Sequence, residues 1–279
     1  MTIRRNFLKA TGLGLAATTV PGVVSAAGNS LTAPKTSFKF QLGIASYSFR
    51  KFPVEEALDM TRRLDIDRIA FKDFHLALDS TKVEIAKTVV LCKGKGIKLY
   101  GGGVIYMRSK KDVDNAFEYA EAAGMKIIIG VPNHELLEYV EGKVKEYNIK
   151  LAIHNHGPGD KLYPSAESAY KLIKDMDKRM GLCIDIGHTK RINRDPEQDV
   201  EDFFERVYDI HIKDVTAANA EGSTCEIGRG VIDIPAFLKA LIKLGYTGTV
   251  ALEYEKDGDD PLPGMAESIG YIKGVLAIL

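Results

Sequence analysis

From about residue 40 to the C-terminus, short apolar runs alternate with longer stretches whose apolar positions recur at helical spacing. Brief apolar runs bounded by turn signals and separated by amphipathic segments predict buried parallel strands joined by crossover helices. Eight such runs occur, at 41–46, 68–74, 98–104, 126–131, 150–154, 181–186, 209–213 and 249–254. The segments between them carry helix punctuation. Pro53 suits the first turn of a helix running to Arg63, and Thr81 with Glu84 spells a capping box before a helix to Cys92. Ser109 with Asp112 reads the same way, ending near Gly124. Asp195-Pro196 opens a helix containing Phe203 and Phe204, and Asp233 opens one that stops at Gly245.

Eight strand-then-helix units place the chain in the α/β class and predict a closed (β/α)8 TIM barrel, a single domain over 40–279. An open doubly wound sheet is the alternative, but it seldom needs eight regular repeats. Residues 1–27 stand apart, with Arg4, Arg5 and Lys9, no acid, and a weakly apolar stretch over 13–24. They resemble a twin-arginine signal peptide with small residues before a cut near Ala27, so export to the periplasm is expected. Residues 28–39 read as a linker.

The formal net charge of zero conceals this division. Removing residues 1–27 takes away three basic side chains and none of the 38 acids, leaving 252 residues with a net charge of −3. Such a chain has no field to hold nucleic acid, and Pro21 interrupts a run too short to span a bilayer, so no membrane partner is expected once the signal is removed. Three cysteines, Cys92, Cys183 and Cys225, do not make a disulfide framework.

In a barrel of this kind, chemistry collects at the C-terminal ends of the strands. The fifth strand ends in His154-Asn155-His156, the sixth in Asp185-Ile186-Gly187-His188, the seventh contains His211-Ile212-Lys213-Asp214, and the eighth ends in Glu253-Tyr254-Glu255. Polar groups in a closed barrel need partners, since an unpaired one costs roughly 2–7 kcal/mol and a charge more. A divalent cation is such a partner. His154, Asp185, His211 and Glu253 make a mixed N/O donor set suited to Mn, Zn, Fe or Co rather than calcium. Period-two alternation puts His211 and Lys213 on one face without saying which face is inward.

The strings over 181–188, His211-Ile212-Lys213-Asp214, Gly228-Arg229-Gly230 and Leu252-Glu253-Tyr254-Glu255, in this order, resemble the sugar phosphate isomerase/epimerase family, the xylose isomerase-like TIM barrels grouped with the AP endonuclease 2 fold. The resemblance covers about 40–279. It implies one divalent metal ion (Mn, Zn, Co, Fe or Mg) and a small sugar or keto-sugar substrate. Members similar to ketose 3-epimerases bind the metal through Glu, Asp, His and Glu, of which the last three fall on Asp185, His211 and Glu253. His188 then matches a substrate contact near the metal, and Arg229 a group that binds a substrate oxygen. The first position departs, with His154 in place of Glu. The implied activity is isomerisation or epimerisation by proton abstraction next to a metal-bound carbonyl, with Glu253 as base. Because His154 removes one of two glutamates that exchange protons on opposite faces, elimination from a 3-keto sugar, keto-glycoside or inosose is the alternative. A non-catalytic sugar-binding barrel is another. Phosphodiester cleavage needs further histidines for a multi-metal cluster and is disfavoured.

Other rim positions carry paired readings. Lys72, His75 and His156 are placed to reach substrate; alternatively, Lys72 is a surface residue and His75 anchors a loop. Lys213 either hydrogen-bonds an enolate or pairs with Glu253 or Asp185. Asp214 is expected to orient a metal-bound imidazole, Glu255 to be solvated beyond the rim, Gly101-Gly102-Gly103 to leave room at the mouth, and Tyr106 to pack under a loop or stack on a sugar.

Overall fold

The computed structural model describes residues 38–279. The expected signal segment and nearly all of the expected linker lie outside them. Eight parallel strands close into a barrel: β1 (Gln41–Ala45), β2 (Arg68–Phe71), β3 (Lys98–Met107), β4 (Ile127–Pro132), β5 (Lys150–His154), β6 (Met180–Asp185), β7 (Val207–Ile212) and β8 (Thr249–Leu252). Each neighbours the next in sequence, and β8 pairs with β1 to close the ring. The open-sheet alternative is excluded. A short antiparallel pair, Asp214–Val215 with Thr224–Cys225, lies in the loop after β7.

The helix signals work as spelled. Thr81 and Glu84 form a complete capping box, Ser109 accepts from the Asp112 amide, Asp195 and Asp233 cap their helices, and Gly245 ends its helix in the left-handed region at φ 70°. Two boundaries shift. The helix capped by Asp195 ends at Asp202, so Phe203 and Phe204 lie in the turn beyond it. A short helix, Ile186–Arg191, starts directly at the end of β6 with Asp185 as its cap. The apolar run there therefore splits between strand and helix, and His188 sits on the helix.

The faces left open by periodicity are settled by contacts across the barrel. Asp209 on β7 accepts from the Tyr100 hydroxyl of β3 at 3.0 Å, so Asp209, His211 and Lys213 point inward while Ile210 and Ile212 pack outward under the helices. A register shift between Leu182 and Cys183 sets Cys183 beside Asp209 and Asp185 beside His211. A one-residue slip there would turn Asp185 out of the barrel. Burial pushes the Asp209 carboxyl up to about 7. All three cysteines are free and buried.

The glycine triplet does not open the mouth. A Cβ on Gly101 would lie 2.9 Å from Ile127 Cγ2, and one on Gly103 2.3 Å from the Ile129 carbonyl oxygen. These glycines let β3 lie close against β4, and the room they make is filled by its neighbour. No helix among the described residues is long and apolar enough to cross a membrane.

Candidate metal centre

The ends of β5 to β8 bring His154, Asp185, His211 and Glu253 together, each offering a donor atom within 4.8 Å of the others. All four are buried. His154 Nε2 lies 3.1 Å from His211 Nδ1 and 3.4 Å from Asp185 Oδ2, and His211 Nδ1 lies 3.2 Å from Glu253 Oε2. Donors held 2.0–2.2 Å from one ion stand roughly 3.0–3.5 Å apart, so these spacings fit a single divalent cation. His154 Nδ1 has no hydrogen-bond partner, leaving nothing among the described residues to fix the opposite tautomer.

Lys213 is the fifth member. Its ammonium lies 2.9 Å from Asp185 Oδ2 and 2.7 Å from Glu253 Oε2, and also contacts Glu255. The ion-pair reading of Lys213 therefore holds, and it holds with both carboxylates at once. Glu255, expected as a solvated partner beyond the rim, is the third acid around the same lysine. Gly187 makes this possible, because a Cβ there would stand 2.3 Å from Lys213 Cγ. Each carboxylate oxygen has two lone pairs, so facing Lys213 does not exhaust its capacity for an ion.

The electrostatics follow from this packing. Burial raises the Asp185 and Glu253 carboxyls, but Lys213 with the neighbouring imidazoles outweighs it and holds both well below the usual carboxylate range. Burial likewise opposes the charge on Lys213, and Asp185, Glu253 and Glu255 overcome it, keeping the ammonium protonated. The His154 and His188 imidazoles are pushed down to about 4 by burial. At neutral pH both are uncharged and able to offer a lone pair.

Above the cluster stand His156 and His188, with rings 5.8 Å apart at their centres. His156 lies 4.6 Å from the His154 ring and stacks against Tyr106, whose hydroxyl is 3.1 Å from His156 Nε2. His188 lies 6.1 Å from His154, and its amide donates to Asp185 Oδ1. Asn155, between the two histidines, holds Asp185 by its backbone, accepting from its amide at 3.0 Å and donating to its carbonyl at 3.2 Å. This role went unread in the sequence, although a buried amide next to a rim ligand is the kind of group that ties two strand ends together.

Four expectations are corrected. His75 is the loop anchor, its Nε2 3.0 Å from the Phe52 carbonyl oxygen and its ring against Phe71 and Phe74. Arg229 is exposed and forks onto Glu267, so it is not brought to the cluster. Lys72 is fastened to the Val104 carbonyl over the Tyr106 ring, at the lip and apart from the ligands. Asp214 orients no imidazole. Its carboxylate instead accepts from the amides of Val215, Gly228, Gly230 and Ile232 at 2.9 to 3.2 Å, folding the 226–232 loop around itself. Asp214→Ala is expected to cost about 3 kcal/mol in urea unfolding and to open this loop to proteolysis. Unchanged cleavage would show that other contacts hold the loop.

With this geometry in place, comparison with known proteins is direct. A family model described as xylose isomerase-like TIM barrel matches residues 45–275. The chain belongs to that family. The chain is similar to the rhizopine catabolism protein MocC of Rhizobium meliloti, 27% identical over 146 residues, which are 47% of this chain and 43% of that protein. The match thus spans less than half the length of this curated relative. Among solved structures it is similar to an uncharacterized protein of Parabacteroides distasonis, at 26% identity and TM-score 0.68 over 85% of this chain and 99% of that one. It also shares the fold of the 3-keto-D-glucoside 4-epimerase YcjR of E. coli, at 14% identity and TM-score 0.68 over 85% and 100% of the chains. An L-ribulose 3-epimerase has the same fold, at 16% identity and TM-score 0.69 over 85% and 94%.

Proposed function

We propose that this protein is a metal-dependent isomerase or epimerase of a ketose or keto-sugar, working by proton abstraction from the carbon next to the carbonyl. The observation that carries this reading is the convergence of His154, Asp185, His211 and Glu253 at the strand ends, with Lys213 bridging both carboxylates. Bound there, a divalent ion supplies Lewis-acid polarisation of a carbonyl, which acidifies the adjacent C–H. Glu253 takes the proton from carbon and returns it to the neighbouring carbon of the enediol, while a proton passes from the hydroxyl oxygen to the former carbonyl oxygen, so that carbonyl and hydroxyl exchange places. Lys213, its three N–H groups held by Asp185, Glu253 and Glu255, contributes its positive charge to the field in which negative charge gathers on oxygen. His156 and His188, uncharged at the mouth, exchange hydrogen bonds with the hydroxyls of the sugar. The names of two proteins similar to the chain support a substrate of this kind: YcjR, which shares the fold, is named for a 3-keto-glucoside, and MocC for rhizopine catabolism.

Elimination is the second reading, and one feature favours it. With His154 in the first ligand position there is no second glutamate to return a proton from the opposite face. Incubation in D₂O with ketoses, 3-keto sugars and inososes, followed by NMR, separates the two. Deuterium entering an intact sugar supports isomerisation, an unsaturated product supports elimination, and no exchange with any of them overturns catalysis in favour of sugar binding alone.

Export belongs to the same proposal, supported by Arg4-Arg5 and the acid-free stretch that follows. The processed protein in the periplasmic fraction should begin near residue 28. An unprocessed N-terminus there overturns it.

A further inference from the structure

The lip of the barrel above β1 to β3 carries aromatic side chains that the chemistry at β5 to β8 does not use. Phe74 is 46% exposed and Tyr106 42% exposed, in a chain whose other large rings are mostly buried. Tyr47, in the turn after β1, lies 6.2 Å from Phe74, with the Arg50 guanidinium against its own ring. Lys72 and Arg108 stand 5.5 and 5.6 Å from the centre of Tyr106. Tyr106 stacks on His156, and His156 stands beside the ligand His154, so the aromatic strip begins one ring beyond the metal cluster and runs outward.

Exposed rings edged by cationic donors suit a ligand that is apolar on its faces and hydroxylated at its rim. A sugar ring has that character. Its axial C–H groups would lie on an aromatic face while its hydroxyls accept from Arg108. A second ring, joined to the first through a glycosidic oxygen, would extend from the cluster past His156 toward Tyr106.

We propose that Tyr47, Phe74 and Tyr106 form a binding subsite for a second sugar ring, so that the substrate is a glycoside rather than a free monosaccharide. This rests on the keto-sugar reading above for where the first ring sits, and on the lip alone for the second. The test uses equilibrium binding of sugars that cannot turn over, so its outcome does not depend on catalysis. Methyl β-D-glucoside and the non-reducing sugars methyl β-cellobioside, methyl β-maltoside and trehalose are titrated calorimetrically into the full chain and into Phe74→Ala, Tyr106→Ala and Tyr106→Phe. At least one disaccharide is expected to bind roughly tenfold tighter than the methyl glucoside, a gain of the size aromatic contacts supply. That gain should vanish in Phe74→Ala and Tyr106→Ala and survive in Tyr106→Phe, which keeps the ring. Equal affinity for one ring and two, or a gain untouched by either alanine variant, overturns the subsite. Failure of proton exchange with preserved disaccharide preference would instead strike only the catalytic reading.

Discussion

Glu253→Gln is expected to reduce the rate of proton exchange at the carbon next to the ketone by about 10²–10⁴-fold, the range that a positioned general base contributes. The substitution keeps the shape of the side chain and an oxygen, so the barrel should fold. It removes the charge that Lys213 and His211 face at 2.7 and 3.2 Å. Deuterium incorporation under saturating metal reports the loss, and parallel metal titration shows whether the ion is still held. A variant that binds metal and substrate but has lost exchange identifies Glu253 as the base. One that retains exchange within tenfold of the native rate moves that role elsewhere.

Lys213→Met should have the largest effect on stability. The lysine is nearly wholly buried, and its ammonium is the counter-charge for Asp185 and Glu253 together. Taking one partner from a buried ion pair leaves an uncompensated charge, at a cost of about 3–5 kcal/mol. That deficit is expected in urea unfolding of metal-free protein. Because the two carboxylates then lack a cation, an added divalent ion should bind more tightly than to the native chain and recover a good part of the loss. A variant as stable as the native protein without metal, or one that metal does not rescue, contradicts the coupling between Lys213 and the ligand set.

The barrel and the convergence of His154, Asp185, His211 and Glu253 were legible because both rest on local chemistry. A run of Ile, Val and Leu ending abruptly in His, Asp or Glu marks where a strand leaves the core, and four successive strands do so. The face of each strand was not legible, since alternation is symmetric until a contact such as Asp209 with Tyr100 chooses the inside. The errors have a common cause. Asp214 follows His211 by three residues, yet its carboxylate serves amides up to 18 residues onward, and no spacing rule reports such a partner. Arg229 and His75 are the same in kind: Glu267 and the Phe52 carbonyl lie distant in sequence and claim them first. The glycine triplet was misread because a missing side chain signals space without saying that a neighbouring strand fills it. Gly187 shows the converse, its value visible only once Lys213 is seen to pass over it.

The central claim is that the strand ends form one metal site, and direct titration tests it. Chelator-treated protein is titrated calorimetrically with Mn, Zn and Co in turn, beside the double variant Asp185→Asn with His211→Ala. One ion per chain is predicted for the native protein with at least one of these metals, and none for the double variant. No stoichiometric binding by the native chain, or equal binding by both, would contradict it.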